Sequence, residues 1–250
     1  MSTELPAVER AAPGTTGAHE AAEDTVVLGA RESLPLGIAL AAVGIAFGYT
    51  AHVAGLTWWL AGLMSATTYG GPSQFLAAGL IGTGAAIPAI VATVFVANLR
   101  YSLFAATLAP SLRDSPRRRL FLLAYGLADG SYALTLQHAG EKRRRRVDRY
   151  LLGSIMVSFP VWVAATIVGN LAGAELPAVL AYGLGFATPA IFIAFLMSAV
   201  RDHIGIVVML IAGLGSVVAH DNLPTGAGPV VSIGVAAVVG GVLRCRQQER

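Results

Sequence analysis

Long apolar segments, each about as long as a membrane-spanning helix, follow one another along most of the chain. A helix needs roughly 20 apolar residues to cross the hydrocarbon core of a bilayer. Pro, Gly and charged residues separate the segments, as they do where helices end. Strand-like alternation is absent, and backbone polar groups in lipid must be paired within the segment, so helices are predicted. The segments are Leu34–Leu56, Trp58–Gly84, Ala85–Pro110, Leu120–Ala139, Tyr150–Gly173, Leu176–Ala199, Ile204–Ala219 and Gly226–Leu243.

The segment Leu120–Ala139 lies between two basic loops, Ser111–Arg119 and Lys142–Arg149. Basic loops favour the cytoplasmic side of a membrane. A single crossing would put one of them outside, so the segment is predicted to enter and return on the same side, turning at Asp129-Gly130. Non-helical backbone is tolerated at that depth where protein or a water-filled cavity surrounds it.

A similar interruption occurs in Trp58–Gly84, where the sequence Tyr69-Gly70-Gly71-Pro72-Ser73 breaks the apolar run. If both interrupted segments are re-entrant, six spans remain and the N-terminus is cytoplasmic. If Trp58–Gly84 instead crosses as one kinked helix, there are seven spans and the N-terminus is outside. The preferred prediction is an all-α polytopic membrane bundle with the first arrangement.

Composition supports the membrane class, since 55% of the 250 residues are apolar and only 12% are charged, against about 25% charged in soluble domains. The net charge of +3 comes from basic residues in short loops, which indicates membrane topology rather than nucleic-acid binding. Residues 1–30 are polar and are predicted to be a disordered tail. Residues 31–250 are predicted to form a single transmembrane transport domain.

Two formal charges stand alone inside apolar segments. Arg100 is the only charged side chain between Glu32 and Arg113, and Asp129 is the only one between Arg119 and Glu141. A charge at such a depth costs at least about 2.5–3.5 kcal/mol on insertion scales, so each should face the interior and find a partner. Their pairing is predicted. Either the pair only pins two helices together, or Arg100 holds a substrate carboxylate while Asp129 meets an ammonium group or carries a coupled proton.

The polar island around Gly70 is the second candidate site. Broken helices expose N–H groups at a positive dipole end, and transporters aim such ends at anionic groups of a substrate. The alternative is a kinked helix whose glycines serve packing. The predicted substrate-binding residues are Thr68, Gly70, Gly71, Ser73, Gln74, Asn98, Arg100 and Asp129.

Five motifs in order resemble those of the AzlC branched-chain amino-acid permeases. They cover nearly the whole chain from Leu34 to Leu243. The motifs are GIAFGYTAHVAGL (Gly44–Leu56), MSATTYGGPSQF (Met64–Phe75), NLRYSLFAATLAP (Asn98–Pro110), AYGLADGSYAL (Ala124–Leu134) and GFATPAIFIAFLM (Gly185–Met197).

The resemblance implies export of branched-chain amino acids across the bacterial inner (plasma) membrane, with a small hydrophobic partner subunit, AzlD. No enzymatic role, cofactor or metal site is expected, since the sequence lacks HExxH, a Walker motif and paired cysteines. The alternative function is an uncoupled channel, or a membrane assembly subunit that does not itself transport.

Overall fold

The computed structural model describes residues 25–140, 146–175, 202–222 and 227–248, with isolated positions between 186 and 200. Within these ranges the chain is helical and has no strand, which confirms the all-α class. The helices are α1 (Leu34–Val53), α2 (Trp58–Thr68), α3 (Gly71–Gly82), α4 (Ile87–Asn98), α5 (Arg100–Leu112), α6 (Arg117–Tyr125), α7 (Asp129–Gly140), α8 (Val147–Gly173), α9 (His203–Asn222) and α10 (Ala227–Gln248).

Three helical stretches in the described residues are long and apolar enough to cross a membrane. They are α1, α8 and the continuous stretch Ile87–Leu112, which comprises α4 and α5. Shorter apolar stretches lie in α9 and α10, at His203–Val218 and Gly234–Leu243. Most of the predicted segment Leu176–Ala199 lies outside the described residues, so the total of six spans stays a prediction.

The helices α1 and α8 pack against each other along their whole length through glycine. At Gly48 the two backbones are so close that a Cβ atom would lie 2.1 Å from the carbonyl oxygen of Thr166. Lipid provides no hydrophobic driving force between helices, so the packing contacts made in such a close approach favour their association. The residue numbers of the contacting pairs increase together along the two helical stretches. The pairs are Gly29 with Tyr150, Gly37 with Val157, Gly48 with Thr166 and His52 with Gly173. The two helices therefore run parallel, and both begin on the same side of the bundle.

A further helical stretch, residues 25–32, precedes α1 and continues the contact with α8. The Tyr150 hydroxyl donates to the Glu32 carboxylate at 2.7 Å, and Ser33 donates to Ser154 at 2.7 Å. This stretch extends across the boundary predicted at residue 31. Residues 1–24 of the predicted tail lie outside the described residues.

The pair α2–α3 forms a re-entrant hairpin, here called hairpin A (Trp58–Gly82). It begins just after Ala54 at the end of α1, and its other end returns there, since a Cβ atom on Gly82 would lie 3.5 Å from the Ala54 Cα. Its tip is at Tyr69-Gly70. The Tyr69 hydroxyl donates to Ser158, near the middle of α8, at 3.0 Å. Hairpin A thus reaches about half-way through the bundle and turns back.

The pair α6–α7 forms a second hairpin, hairpin B (Arg117–Gly140), which enters from the opposite side. Near its start Arg119 forms an ion pair with Asp148, and near its end the His138 ring stacks on Tyr150 at 3.9 Å. Both contacts lie in the first turns of α8, so the predicted return to the same side is confirmed. The described parts of the two basic loops consequently lie at one end of the bundle.

The tip of hairpin B differs from the predicted turn at Asp129-Gly130. The chain leaves helical conformation at Gly126–Ala128, and Asp129 is already the first residue of α7. A carboxylate is stabilised at a helix N-terminus by the helix dipole. Asp129 therefore begins the helix rather than forming the turn.

The parallel arrangement of α1 and α8 restricts the topology between them. The chain must cross the membrane an odd number of times from Val53 to Val147, and Ile87–Leu112 provides that crossing while both hairpins return. The alternative in which Trp58–Gly84 crosses as one kinked helix and hairpin B returns would make α1 and α8 antiparallel, so it is excluded.

Candidate functional site

The tips of hairpins A and B meet in the middle of the bundle, on either side of a cavity of about 160 Å³. The first half of α1 and the middle of α8 close the cavity laterally, and the two tips place it near mid-depth. Its walls are Leu36, Leu40 and Val43 of α1, Tyr69, Gly71, Pro72 and Phe75 of hairpin A, Ala128, Asp129, Gly130 and Ser131 of hairpin B, and Trp162 of α8.

Asp129 is the one formally charged residue of this mostly apolar lining. Its Oδ2 atom lies 3.2 Å from Arg100 Nη2, which confirms the predicted pairing. The side chains of Arg100 and Asp129 remain 26% and 33% exposed, respectively. Neither side chain is fully buried within the described residues.

The helix that carries Arg100 is broken at that point, which the sequence did not predict. Leu99 separates α4 from α5, and the amide of Ser102 donates to the Leu99 carbonyl over three residues, at 3.0 Å. A tight turn of this type inside a long helix often marks a functional hinge. The break lies between Asn98 and Arg100, so it positions both predicted site residues at the cavity.

Two buried polar atoms at this break have unused hydrogen-bonding capacity. Asn98 Oδ1 and Arg100 Nε have no hydrogen-bond partner within the described part of the chain. Arg100 also donates to the Tyr101 hydroxyl at 3.2 Å. The tip of hairpin A lies next to them, since a Cβ atom on Gly70 would sit 2.9 Å from the Tyr101 hydroxyl. A side chain at position 70 would force the hydroxyl groups of Ser73 and Tyr101 to shift.

The tip of hairpin A is held in a strained conformation. Tyr69 adopts a left-handed backbone with φ 37°, the one non-glycine residue of the described chain with positive φ. Such strain costs on the order of 1–3 kcal/mol and persists where the surroundings fix it. Here the Tyr69 hydroxyl is bonded to Ser158, and Ser73 donates to the Gly70 carbonyl at 2.8 Å.

Gln74 joins hairpin A to α8 from behind the cavity wall. Its Oε1 accepts hydrogen bonds from Gly70 N at 3.1 Å and from Trp162 Nε1 at 3.0 Å, and its Nε2 donates to Ser65 at 2.9 Å. Ser65 in turn is bonded to Thr166 at 2.8 Å. Gln74 is completely buried and does not line the cavity. This arrangement fixes the tip rather than presenting the amide to a ligand.

The predicted site residues thus fall into three groups. Gly71 and Asp129 line the cavity. Gly70, Asn98 and Arg100 lie beside it, at the contact between hairpin A and the broken helix. Thr68, Ser73 and Gln74 belong to hairpin A but are not part of the lining.

Sequence reasoning missed Trp162 and Tyr101. Trp162 forms part of the cavity wall and its ring stacks near Phe47, with centroids 6.1 Å apart. A tryptophan in the middle of an apolar segment, away from the interface where Trp is usually enriched, was the available signal. Tyr101 follows Arg100 directly and gave no separate signal.

Two helices also begin at the cavity, α3 at Gly71 and α7 at Asp129. Helix N-termini carry partial positive charge and free N–H groups, which suit anionic groups. Together with the Arg100–Asp129 pair they give the cavity groups of both signs. In the described residues no cluster of three or more His, Cys, Asp or Glu side chains is suited to hold a metal ion.

Comparisons with known proteins agree with this architecture. The family model described as "AzlC protein" matches residues 35–176, a range that contains α1, both hairpins and α8. The inner membrane protein YgaZ of Escherichia coli K12 is 31% identical over 183 residues, which is 70% of this chain and 73% of that protein. An uncharacterized membrane protein of Helicobacter pylori J99 is 27% identical over 155 residues, covering 62% and 67% of the two chains.

A third relative, an uncharacterized membrane protein of Archaeoglobus fulgidus, is 31% identical over 144 residues, covering 58% of this chain and 61% of its own. No solved structure gives a significant match. The family model covers more than half of the sequence, and its range includes every residue described around the central cavity. The chain therefore belongs to the AzlC family of membrane proteins.

Proposed function

We propose that this chain is a transporter that exports branched-chain amino acids through the central cavity. The observation that carries the proposal is the meeting of two hairpins, inserted from opposite membrane faces, at a mid-depth cavity with one charged pair. Transporters commonly place substrate sites where discontinuous helices end near the bilayer midplane. Membership of the AzlC family supports the same function.

A zwitterionic amino acid matches the groups around the cavity. Its ammonium group would bind the Asp129 carboxylate, which is exposed to the cavity. Its carboxylate would bind the guanidinium of Arg100, whose planar fork suits a carboxylate, and the N–H groups at the start of α3. Substrate would then take over contacts that the two charged residues now make with each other.

The remaining walls suit a small aliphatic side chain. Leu40, Val43 and Phe75 present apolar groups to the cavity. A cavity of about 150 Å³ lined by such residues is large enough for benzene, so about 160 Å³ accommodates a branched chain of three or four carbons.

The two hairpins provide the gates. Hairpin A lies between the cavity and the membrane face at which α1 ends, and hairpin B lies between the cavity and the opposite, basic face. Opening one hairpin at a time would expose the cavity to one side at a time. Asp129, on the tip of hairpin B, is also the proposed carrier of a coupled proton.

A small hydrophobic partner of the AzlD type, and a location in the plasma membrane, belong to this proposal. Only 6% of the most apolar part of Ile87–Leu112 is buried inside the protein, against 33% for α1 and 39% for α8. Ile87, Val91 and Phe95, spaced four residues apart, are all exposed along it. This face is where a partner subunit would pack; co-purification of a tagged chain with the partner is the check.

Flux measurements in vesicles test the function. The chain, with and without the partner, would be reconstituted and the uptake of labelled leucine measured across an imposed pH gradient. The proposal expects saturable uptake that unlabelled leucine inside the vesicles accelerates, because a carrier exchanges substrate. Flux without such acceleration would indicate the channel, and no flux in either preparation would indicate an assembly subunit.

A further inference from the structure

A second cavity of about 240 Å³ lies between α5, hairpin B and the start of α8. It is separate from the central cavity, although both touch the tip of hairpin B. Four buried leucines form its floor: Leu108, Leu123, Leu127 and Leu151. The exposed alanine Ala109 leaves it open at the surface of the bundle, and Arg113 lies at its rim. We call this cavity the leucine slot.

The leucine slot has the depth of one membrane leaflet. At one end Leu127 belongs to the tip of hairpin B, half-way through the bundle. At the other end Arg113 follows the last residue of α5, at the basic end where Arg119 pairs with Asp148. The slot therefore runs through half of a hydrocarbon core of about 30 Å. Within it the lining is apolar except for the arginine at the rim.

The basic residues at the rim differ in how they are used. Arg119 is committed to Asp148. Arg113 is 80% exposed, and its nearest acid, Asp114, is 3.8 Å away and 95% exposed. Arg117 and Arg118 are also exposed, and no ion pair is found for them among the described residues. Arg113 thus places one exposed guanidinium group at the rim of the apolar slot, and Arg117 and Arg118 follow in the first turn of α6.

We propose that the leucine slot binds an acyl chain of an anionic phospholipid of the cytoplasmic leaflet, with its phosphate on Arg113, Arg117 and Arg118. Basic pockets between membrane helices on the cytoplasmic side recognise anionic head groups. A neutral lipid fills the slot without the head-group contacts, and free phosphate makes those contacts without the chain. Only a lipid with both parts uses the whole site.

The bound acyl chain would lie between the two elements that carry the central ion pair and would separate them. The slot is bounded by α5, which begins at Arg100, and by hairpin B, whose second helix begins at Asp129. Filling it would limit how closely these elements approach each other. The inference goes beyond amino-acid transport, since it assigns a lipid site on a different wall of hairpin B.

Thermal unfolding of the full chain in detergent micelles tests the lipid site. Phosphatidylglycerol or phosphatidylcholine would be added to the wild type and to variants, with the melting temperature as readout. Phosphatidylglycerol is expected to raise the melting temperature of the wild type more than phosphatidylcholine does, because the choline cation offsets the charge of the phosphate beside the arginine. Ala109→Leu, which fills the slot, and Arg113→Gln, which removes the rim charge, should each lose most of that rise.

Ala106→Leu is the matched control, since it makes the same change at an exposed position of α5 that does not line the slot. It should keep the full rise. An equal effect of both lipids would overturn the proposal and indicate a general effect of lipid on the bundle. A full rise in Ala109→Leu would also overturn it and leave only charge attraction at the surface. If Ala109→Leu blocks leucine flux and keeps the lipid effect, the slot is a passage for substrate instead.

Discussion

The α1–α8 pair and the span Ile87–Leu112 show two opposite ways of placing helices in a membrane. Along α1 and α8 glycine brings the backbones together, and a Cβ atom on Gly169 would lie 2.2 Å from the Ile45 carbonyl oxygen. The span Ile87–Leu112 has most of its surface exposed and is broken at Leu99. Yet the loosely packed span carries Arg100, one half of the central ion pair.

This difference indicates that α1 and α8, here called the frame, have a structural role, whereas the span has a role in movement. A closely packed pair of parallel helices resists rearrangement because interiors packed without voids are not continuously deformable. The cavity contacts made by the span are polar and few: Arg100 with Asp129, and the Gly70 tip near Tyr101. We infer that α1 and α8 hold the hairpins while the span and the hairpin tips move during transport.

The largest effect is expected from substitution in the frame. Gly48→Ala places a methyl group 2.1 Å from the Thr166 carbonyl oxygen, and overpacking of this kind costs about 1–3 kcal/mol or more. We expect loss of folded protein, measured by the monodisperse yield and the melting temperature. Gly79→Ala is the control because nothing lies within 4 Å of the new atom, and alanine favours helix by about 1 kcal/mol. Equal tolerance of both variants would show that the frame is not closely packed.

The next effect concerns the charged pair that links the span to hairpin B. Asp129→Asn leaves Arg100 in the interior without its partner, which for a fully buried pair costs about 3–5 kcal/mol and less here, since both side chains are partly exposed. The double variant Asp129→Asn with Arg100→Gln removes the orphan charge and should recover insertion. If the pair binds substrate, the double variant stays inactive in leucine flux.

The ion pair between Arg119 and Asp148 offers a matched control, since it joins hairpin B to α8 away from the cavity. Arg119→Gln with Asp148→Asn should lower stability modestly and keep transport. Near-normal flux in the Arg100/Asp129 double variant would falsify the functional assignment and leave a structural ion pair.

A smaller effect on transport is expected at the joint between hairpin A and the frame. Gln74→Leu removes the acceptor of Gly70 N and Trp162 Nε1 and the donor to Ser65. Each buried group left without a partner costs about 1–3 kcal/mol. We expect a lower melting temperature together with weaker transport. If Gln74 instead binds substrate, as the sequence predicts, Gln74→Leu weakens transport with an unchanged melting temperature.

The smallest effect is expected on the exposed face of the span. Phe95 is 65% exposed, and substitution of such surface residues usually changes stability by less than about 0.5 kcal/mol. Its counterpart Phe47 in the frame is fully buried between Phe75 and Trp162, where Phe→Ala costs about 3–5 kcal/mol. Comparing melting temperatures of Phe95→Ala and Phe47→Ala in the isolated chain sharpens the contrast. A large loss in Phe95→Ala would mean that the span is part of the frame.

Much of this arrangement was predictable because membrane insertion penalises particular residues. Arg100 and Asp129 were identified as partners because each is the lone charge in an apolar segment. Hairpin B followed from two basic loops that both favour the cytoplasm. Hairpin A followed from the Gly and Pro of its tip, since these residues interrupt helices.

The missing parts depend on contacts between distant residues or on subtle local geometry. The hydrogen bond from Trp162 to Gln74 joins residues 88 positions apart, and the parallel pairing of α1 with α8 likewise leaves no local pattern. Neither Gly nor Pro lies beside Leu99 to indicate the break in the sequence. The structure supplies these three features, and they show that Gln74 fixes the hairpin tip and that the helical hydrogen bonding of the span is interrupted beside Arg100.

Substrate protection of both hairpin tips is the most direct test of the central claim that they share one binding cavity. In a Cys245→Ser background, which removes the chain's only cysteine, Gly71→Cys and Ala128→Cys would place single thiols on hairpins A and B. Both positions line the cavity, and a Cβ atom on Gly71 makes only an ordinary contact with Trp162 at 3.5 Å. Thr83→Cys, exposed at the end of hairpin A, is the control. The account predicts that leucine slows thiol labelling at both tips and leaves Thr83→Cys unchanged, whereas protection at one tip only, or at neither, would contradict it.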